Sequence, residues 1–216
     1  RVVMRRSFSL SLRSCAAILV ASSALSAADG QYFSMSLSWR PTSALSDTTE
    51  RIDLLPFVNV KVALKPLVDL RKDKTLVGEN REKSYSRYVT TTDEVATHLT
   101  SHMIDLMKEA GLPISEKTEG ANLVLSGEIL RYDVIETGTY KGELRLRLEI
   151  RSGDKTVWTG MAVGRASRFG RSYKPDNYQE VLSDVLVEAT SRLLSDQTFL
   201  RVLSGKAMVV PVPAAN

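Results

Sequence analysis

The chain is poor in the residues that most chemistry needs. It has one cysteine and two histidines in 216 residues, and aromatics make up 6%. A single thiol, Cys15, excludes an intrachain disulfide and any metal site built on clustered cysteines. No uninterrupted apolar run approaches the roughly 18 residues that mark a bilayer-spanning helix. There is no glycine-rich phosphate loop, no Gly-x-Ser-x-Gly elbow and no His-Glu-x-x-His pair. Serine and threonine are plentiful, but no histidine stands near one in a readable motif, so hydrolase chemistry finds no support. The net charge is +4. That excess lies in residues 1–28, which hold Arg1, Arg5, Arg6 and Arg13 and no acid, so the remainder is formally neutral. The overall basicity is therefore no argument for a nucleic-acid partner, and sparse aromatics weigh the same way.

What is present begins with an export signal. Arg5, Arg6 and Arg13 precede the apolar run from Cys15 to Leu25, and the small residues Ser26, Ala27 and Ala28 follow. Charged, apolar and small-residue regions in that order make a cleaved secretory signal peptide over residues 1–28, with Asp29 starting the mature chain. Arg5-Arg6-Ser7-Phe8 partly resembles a twin-arginine signal, and the general and twin-arginine routes both stay open. Cys15 stands before the apolar run, where a lipid-anchor cysteine would follow it, so it is expected to leave with the signal. An apolar content of 43% suits a folded chain.

Residues 29–55 lack a clean period and read as a loosely ordered lead-in holding Tyr32, Phe33 and Trp39. Residues 56–205 read as one domain, and residues 206–216, with Pro211 and Pro213, as a flexible tail. Val58, Val60, Val62 and Leu64 share one parity and predict a half-buried strand. Residues 69–90 read as a charged loop. A helix is expected over 92–110, with Thr91 and Glu94 as a capping box, Gly111 as its stop, and Val95, Leu99, Met103 and Leu106 as its apolar stripe. A short strand or turn at 112–115 follows. Strands are expected over 122–136, 142–151 and 156–169. The middle one alternates most clearly: Leu144, Leu146, Leu148 and Ile150 face one way, and Arg145, Arg147 and Arg151 the other. Ser152-Gly153-Asp154 makes a hairpin turn. On the third strand Gly160, Ala162 and Gly164 offer a small-residue face for a helix, leaving Val157, Met161, Val163 and Arg165 outward. The last long helix, 176–195, carries Val181, Val185, Ala189 and Leu193, with Asn177 and Glu180 as a second capping box. The resulting fold class is α+β: a two-layer sandwich, with a largely antiparallel sheet of four to five strands and two long helices on one face.

Few residues invite a chemical reading. His98 and His102 lie four apart on one helix face, where two imidazoles and a carboxylate could hold zinc or copper. No third ligand is fixed by spacing, and a helix flank without metal is the expectation. Asp69, Arg71 and Asp73 sit among lysines in a loop that is expected to be solvated rather than catalytic. Between Lys141 and Lys174 there are nine basic residues against three acids, whereas the last helix is mainly acidic. Internal charge pairing explains this, or a basic sheet face that meets an anionic partner. On the second reading Arg145, Arg147, Arg151 and Arg165 are the partner-binding candidates. No catalytic residue, cofactor site or metal site is expected.

From Val58 to Leu203 the order of pieces resembles the YajG-like family of predicted lipoproteins in the Gram-negative cell envelope. The pieces are Val58 to Leu64 leading to Asp69-Leu70-Arg71, the loop that reaches Val77-Gly78, and the helix ending in Ala110-Gly111-Leu112. The segment Gly120 to Leu125 and the run Ser195 to Leu200 complete the pattern. The resemblance implies a periplasm-facing envelope protein with no established enzyme activity, and it supplies no catalytic residues. Members usually carry a lipid-anchor cysteine at the end of the signal, and this chain has none there. The expectation is a non-catalytic periplasmic binding module for an envelope protein or an anionic envelope component. Outer-membrane association through a lipid anchor is left open. The alternative is a lipid- or glycan-handling auxiliary of an envelope transport system. A deep apolar pocket between helices and sheet would mark the auxiliary, and a filled core the binding module.

Overall fold

A computed structural model describes residues 31–45 and 52–205. The expected signal at 1–28, Cys15 and the tail at 206–216 lie outside the described residues. The strands are β1 (Gln31–Ser34), β2 (Val62–Leu64), β3 (Val68–Asp69), β4 (Leu76–Asn80), β5 (Arg87–Thr90), β6 (Ile114–Ser115), β7 (Leu123–Glu136), β8 (Tyr140–Ser152) and β9 (Lys155–Arg168). The helices are α1 (Val95–Glu109), α2 (Pro175–Ser195) and α3 (Gln197–Leu203), and a 3-10 turn spans Leu55–Phe57.

Three long strands make the body of the sheet. β7, β8 and β9 form an antiparallel meander, registered from Glu136↔Tyr140 to Val124↔Arg151 and from Tyr140↔Arg168 to Ser152↔Lys155. The alternation read in β8 is the reason: Leu144, Leu146, Leu148 and Ile150 are buried, and Arg145 and Arg147 are exposed. Gly153 turns the β8–β9 hairpin at φ 57°. Along the other side of β7 lie three short parallel strands: β2 at Leu123–Leu125, β3 at Glu128–Ile129 and β4 at Val134–Glu136. β6 extends the sheet beyond β2, while β5 and then β1 extend it beyond β4. Among the described residues the sheet is thus mixed and nine-stranded, not four to five.

The helical layer fits the expected stripes. Val95, Leu99, Met103 and Leu106 of α1 are buried in one core with Val181, Val185, Ala189 and Leu193 of α2 and the β8 leucines. α1 ends at Gly111, whose φ of 85° is the left-handed stop that glycine favours. α2 lies directly on the small residues of β8 and β9. A Cβ added to Gly142 would stand 2.5 Å from Val181 Cγ1, and one on Gly164 would overlap the Val185 carbonyl oxygen. Trp158 also faces this layer, its ring 5.1 Å from that of Phe199 in α3.

Several local expectations give way. Only Val62–Leu64 of the first predicted strand is a strand, and Val58 is exposed. Val62, Ala63 and Leu64 of β2 are all buried, side chains of both parities alike, which erases the alternation. The charged loop at 69–90 contains β4 and β5. Their buried positions, Val77, Gly78, Asn80 and Val89, include a glycine and a polar residue and print no period. Neither capping box forms. α1 starts after Glu94, which makes no side-chain cap, and Thr91 Oγ1 accepts from the Asp93 amide instead. α2 starts at Pro175, and Asn177 donates through Nδ2 to the Arg171 carbonyl.

Residues 31–45, read as part of a loose lead-in, are built into the fold. Beyond β1, the Arg40 amide donates to Ser183 Oγ (2.9 Å), and the Thr42 and Ser43 amides donate to Asp184 Oδ1 (2.7 and 3.1 Å). Gln179 Nε2 donates to the Ser36 carbonyl (3.0 Å), and Met35 and Leu45 are buried. The segment closes over the helices and leaves the far face of the sheet alone.

Candidate functional site

The far face of β7–β9 gathers three of the four candidate arginines. Arg145 and Arg165 meet at Glu143, with Nε and Nη2 at 2.6 and 3.2 Å from its Oε1, and Arg131 Nη1 reaches Oε2 at 2.8 Å. Arg131 also donates to Asp133. Arg147 pairs with Glu128 across the β7–β8 ladder. Burial pushes the Glu143 carboxyl up, but the Arg145 hydrogen bond and the charges of Arg131, Arg145 and Arg165 outweigh it and hold the group below its ordinary value. Arg151 stands apart near the hairpin, 3.7 Å from Glu149, and donates through Nη2 to the Asp154 carbonyl. Every candidate arginine therefore has an acid or a carbonyl beside it, as internal charge pairing requires.

Apolar side chains lie among these pairs. Met161 is 50% exposed, and Val163 is half-buried. Val157 departs from the expectation that it points outward with them. Trp158 opposes Ile150 and Thr156 opposes Arg151, so Val157 is the extra residue of a bulge and packs against the core. On the β7 side the same face carries Val68, Leu70 and Leu130, all substantially exposed. Sequence reading missed these three. Val68 and Leu70 fall in and beside a two-residue strand at the start of the segment read as a charged loop. Leu130 sits at the β7 bulge between Ile129 and Arg131, which breaks the alternation.

The other singled-out residues have structural work. Arg71 takes Asp69 with two nitrogens and donates to the carbonyls of Lys74, Leu76 and Tyr132, so the pair ties the loop after β3 to the sheet. Asp73 accepts from the Thr75 and Leu76 amides in a turn. His98 and His102 pack against each other with ring centroids 4.6 Å apart, and Trp39 stacks on His102 at 4.3 Å. Among the described residues no group of three or more His, Cys, Asp or Glu side chains is placed to hold a metal ion.

The histidine pair predicts a pH response. Burial, then the charge of His102, brings the His98 imidazole down from 6.5 to about 4, against the pull of Asp93, and burial also lowers His102. The unfolded chain therefore takes up protons first. The contribution is complete above pH 6.5 and is lost as pH falls from 6.5 toward 4. His98→Gln should flatten the fall in urea midpoint between about pH 7 and pH 5 relative to the parent chain. An equally steep fall in the variant would dismiss this origin.

A second polar centre, invisible in the sequence, closes the top of the sheet. The buried Glu136 accepts from the Tyr173 amide (2.9 Å) and from the Tyr178 hydroxyl (2.7 Å). Tyr173 adopts φ 57°, the left-handed region, and the Arg87 guanidinium lies 4.2 Å from its ring centroid. Burial first, then Glu136, pushes the Tyr178 hydroxyl far above its ordinary range, so it stays a donor. The arrangement anchors the start of α2 to the end of β7.

No family model matches the sequence, and no curated protein matches it. Among solved structures, the chain is similar to a DUF330 protein from Xanthomonas campestris at 11% identity and TM-score 0.53, over 81% of this chain and 97% of that one. It is also similar to the PelC dodecamer subunit from Paraburkholderia phytofirmans (16% identity, TM-score 0.39, 62% and 86% covered). Lipoprotein GNA1162 from Neisseria meningitidis gives 10% identity, TM-score 0.28, and 55% and 90% coverage. The first of these likenesses establishes a shared fold and says nothing about activity.

Proposed function

We propose that this chain is a non-catalytic binding module of the bacterial cell envelope that docks a partner protein through the far face of β7–β9. One observation carries the reading. That face mixes half-exposed arginines with Val68, Leu70, Leu130 and Met161, and among the described residues no element lies over it. Arginine beside apolar side chains is the composition of interface centres. The signal-like residues 1–28 and the YajG-like order of elements support the envelope. The close seating of α2 on Gly142 and Gly164 supports the binding module over the lipid- or glycan-handling auxiliary, which needs room between helices and sheet.

Replacing Arg145 and Arg147 together with Glu tests this. Exposed ion pairs contribute little, so the melting temperature should move by less than about 5 °C. Recovery of crosslinked partners from intact envelopes should fall sharply. Undiminished crosslinking would remove this face as the docking surface.

A further inference from the structure

β9 is a 14-residue strand that pairs with β8 on one side and, among the described residues, with no strand on the other. The sheet's other margins are short, four residues in β1 and two in β6. Long edges are usually blunted by proline, charge or bulges, because an unpaired row of amides and carbonyls recruits another strand. From Thr159 to Gly164 β9 has neither proline nor charge, and its bulge lies upstream at Val157. Gly164 on its inner side lies directly under α2, which holds this part of the edge in place.

Charge decides what can add there. β9 carries Lys155, Arg165 and Arg168 and no acid. Arg165 belongs to the group in which Arg131, Arg145 and Arg165 share Glu143 and Asp133, three guanidiniums against two carboxylates. Arg168 is paired with Glu180 of α2, so antiparallel pairing with the β9 of a second copy would set Lys155 of one strand toward Arg165 of the other, cation on cation. An acidic strand meets no such repulsion. On the outer side Met161, Val163 and Arg165 follow one another at a spacing of two, so a neighbouring strand is read as two apolar positions and one acidic position at that spacing.

We infer that the free edge of β9 takes up an extended segment of a partner protein as an added strand, with an acidic side chain beside Arg165 and apolar side chains beside Val163 and Met161. This rests on the docking reading for the class of occupant, a protein, and names where and how its chain lies. Added-strand recognition draws affinity from main-chain hydrogen bonds and selectivity from alternate side chains.

The probe is a peptide of about seven residues, within the usual range of strand lengths, whose one alternating set reads Glu-Val-Val and whose other set is threonine. Added to the full chain, it should slow hydrogen exchange at amides between Thr159 and Arg165. Its counterpart with Lys in place of Glu should bind more weakly. Arg165→Glu should weaken the acidic peptide about fivefold and strengthen the lysine peptide by a similar factor. The inference is overturned if neither peptide alters exchange in β9, or if the charge swap leaves their order unchanged. Slow exchange without peptide that grows with protein concentration would also overturn it, assigning the edge to a second copy. Slow exchange lost on deleting residues 206–216 would assign it to the chain's own tail, with the same consequence. The Arg145→Glu, Arg147→Glu variant separates the two readings. Peptide protection with undiminished crosslinking sinks the face and leaves the edge, and lost crosslinking with no peptide effect sinks the edge alone.

Discussion

Truncating Leu146 to alanine should lower the unfolding free energy by about 2–5 kcal/mol, the range for a fully enclosed leucine whose cavity cannot collapse. Leu146 sits mid-way along β8 with no exposed surface, opposite Ile129 on one side and Ala162 on the other. Its neighbours belong to two strands and to the helical layer, so no single movement fills the gap. Urea unfolding followed by far-UV circular dichroism would measure the loss, with the slope unchanged if the native and denatured states keep their compactness. Arg147→Ala, one residue along and facing outward, should cost no more than about 1 kcal/mol. A Leu146→Ala loss below about 0.5 kcal/mol would contradict the assignment of faces on which the docking surface depends.

Gly164→Ala should be comparably damaging for the opposite reason. The added methyl would overlap the Val185 carbonyl oxygen and stand 2.8 Å from Val185 C and Ala189 N. These are backbone atoms of α2, with no rotamer to yield, so the helix must lift from the sheet. Overpacking of this kind costs about 1–3 kcal/mol and occasionally more, and a main-chain obstacle belongs at the upper end. Gly160→Ala is the comparison: its methyl meets the Trp158 ring, a side chain that can shift, and it should lose less. The two variants measured side by side in urea give the answer. Equal losses, or a Gly164→Ala loss under about 0.5 kcal/mol, would mean that α2 is not seated as described.

Both predictions rest on elements that the sequence spells out. β8 alternates strictly and both long helices carry apolar stripes, because each presents one face to the core and one to water. The short strands were hidden for the converse reason. β2 is buried on both faces, β3 has two residues, and β4 and β5 each bury only a few positions, so none prints a period. Nine strands were therefore read as about half that number. Around the candidate face, Arg145, Arg147 and Arg165 were legible as the polar parity of β8 and β9. Val68, Leu70 and Leu130 were not, since a two-residue strand and a bulge place them there. Glu136 and Tyr178 are 42 residues apart in sequence, and their pairing is set by tertiary structure alone.

The clasp of residues 31–45 on α2 bears on the order in which the chain can fold. Its hydrogen bonds join Arg40 to Ser183 and Ser36 to Gln179, each across 143 residues. Contacts this distant in sequence carry a loop-closure cost that nearer contacts do not, and they slow folding. β1 can pair with β5 and Trp39 can stack on His102 once α1 exists, but the bonds of Ser36, Arg40, Thr42 and Ser43 have no partner in a nascent chain that ends before Pro175. In a chain made from its amino terminus, the clasp on α2 therefore closes only after Pro175–Ser195 has been made, among the last tertiary contacts to form.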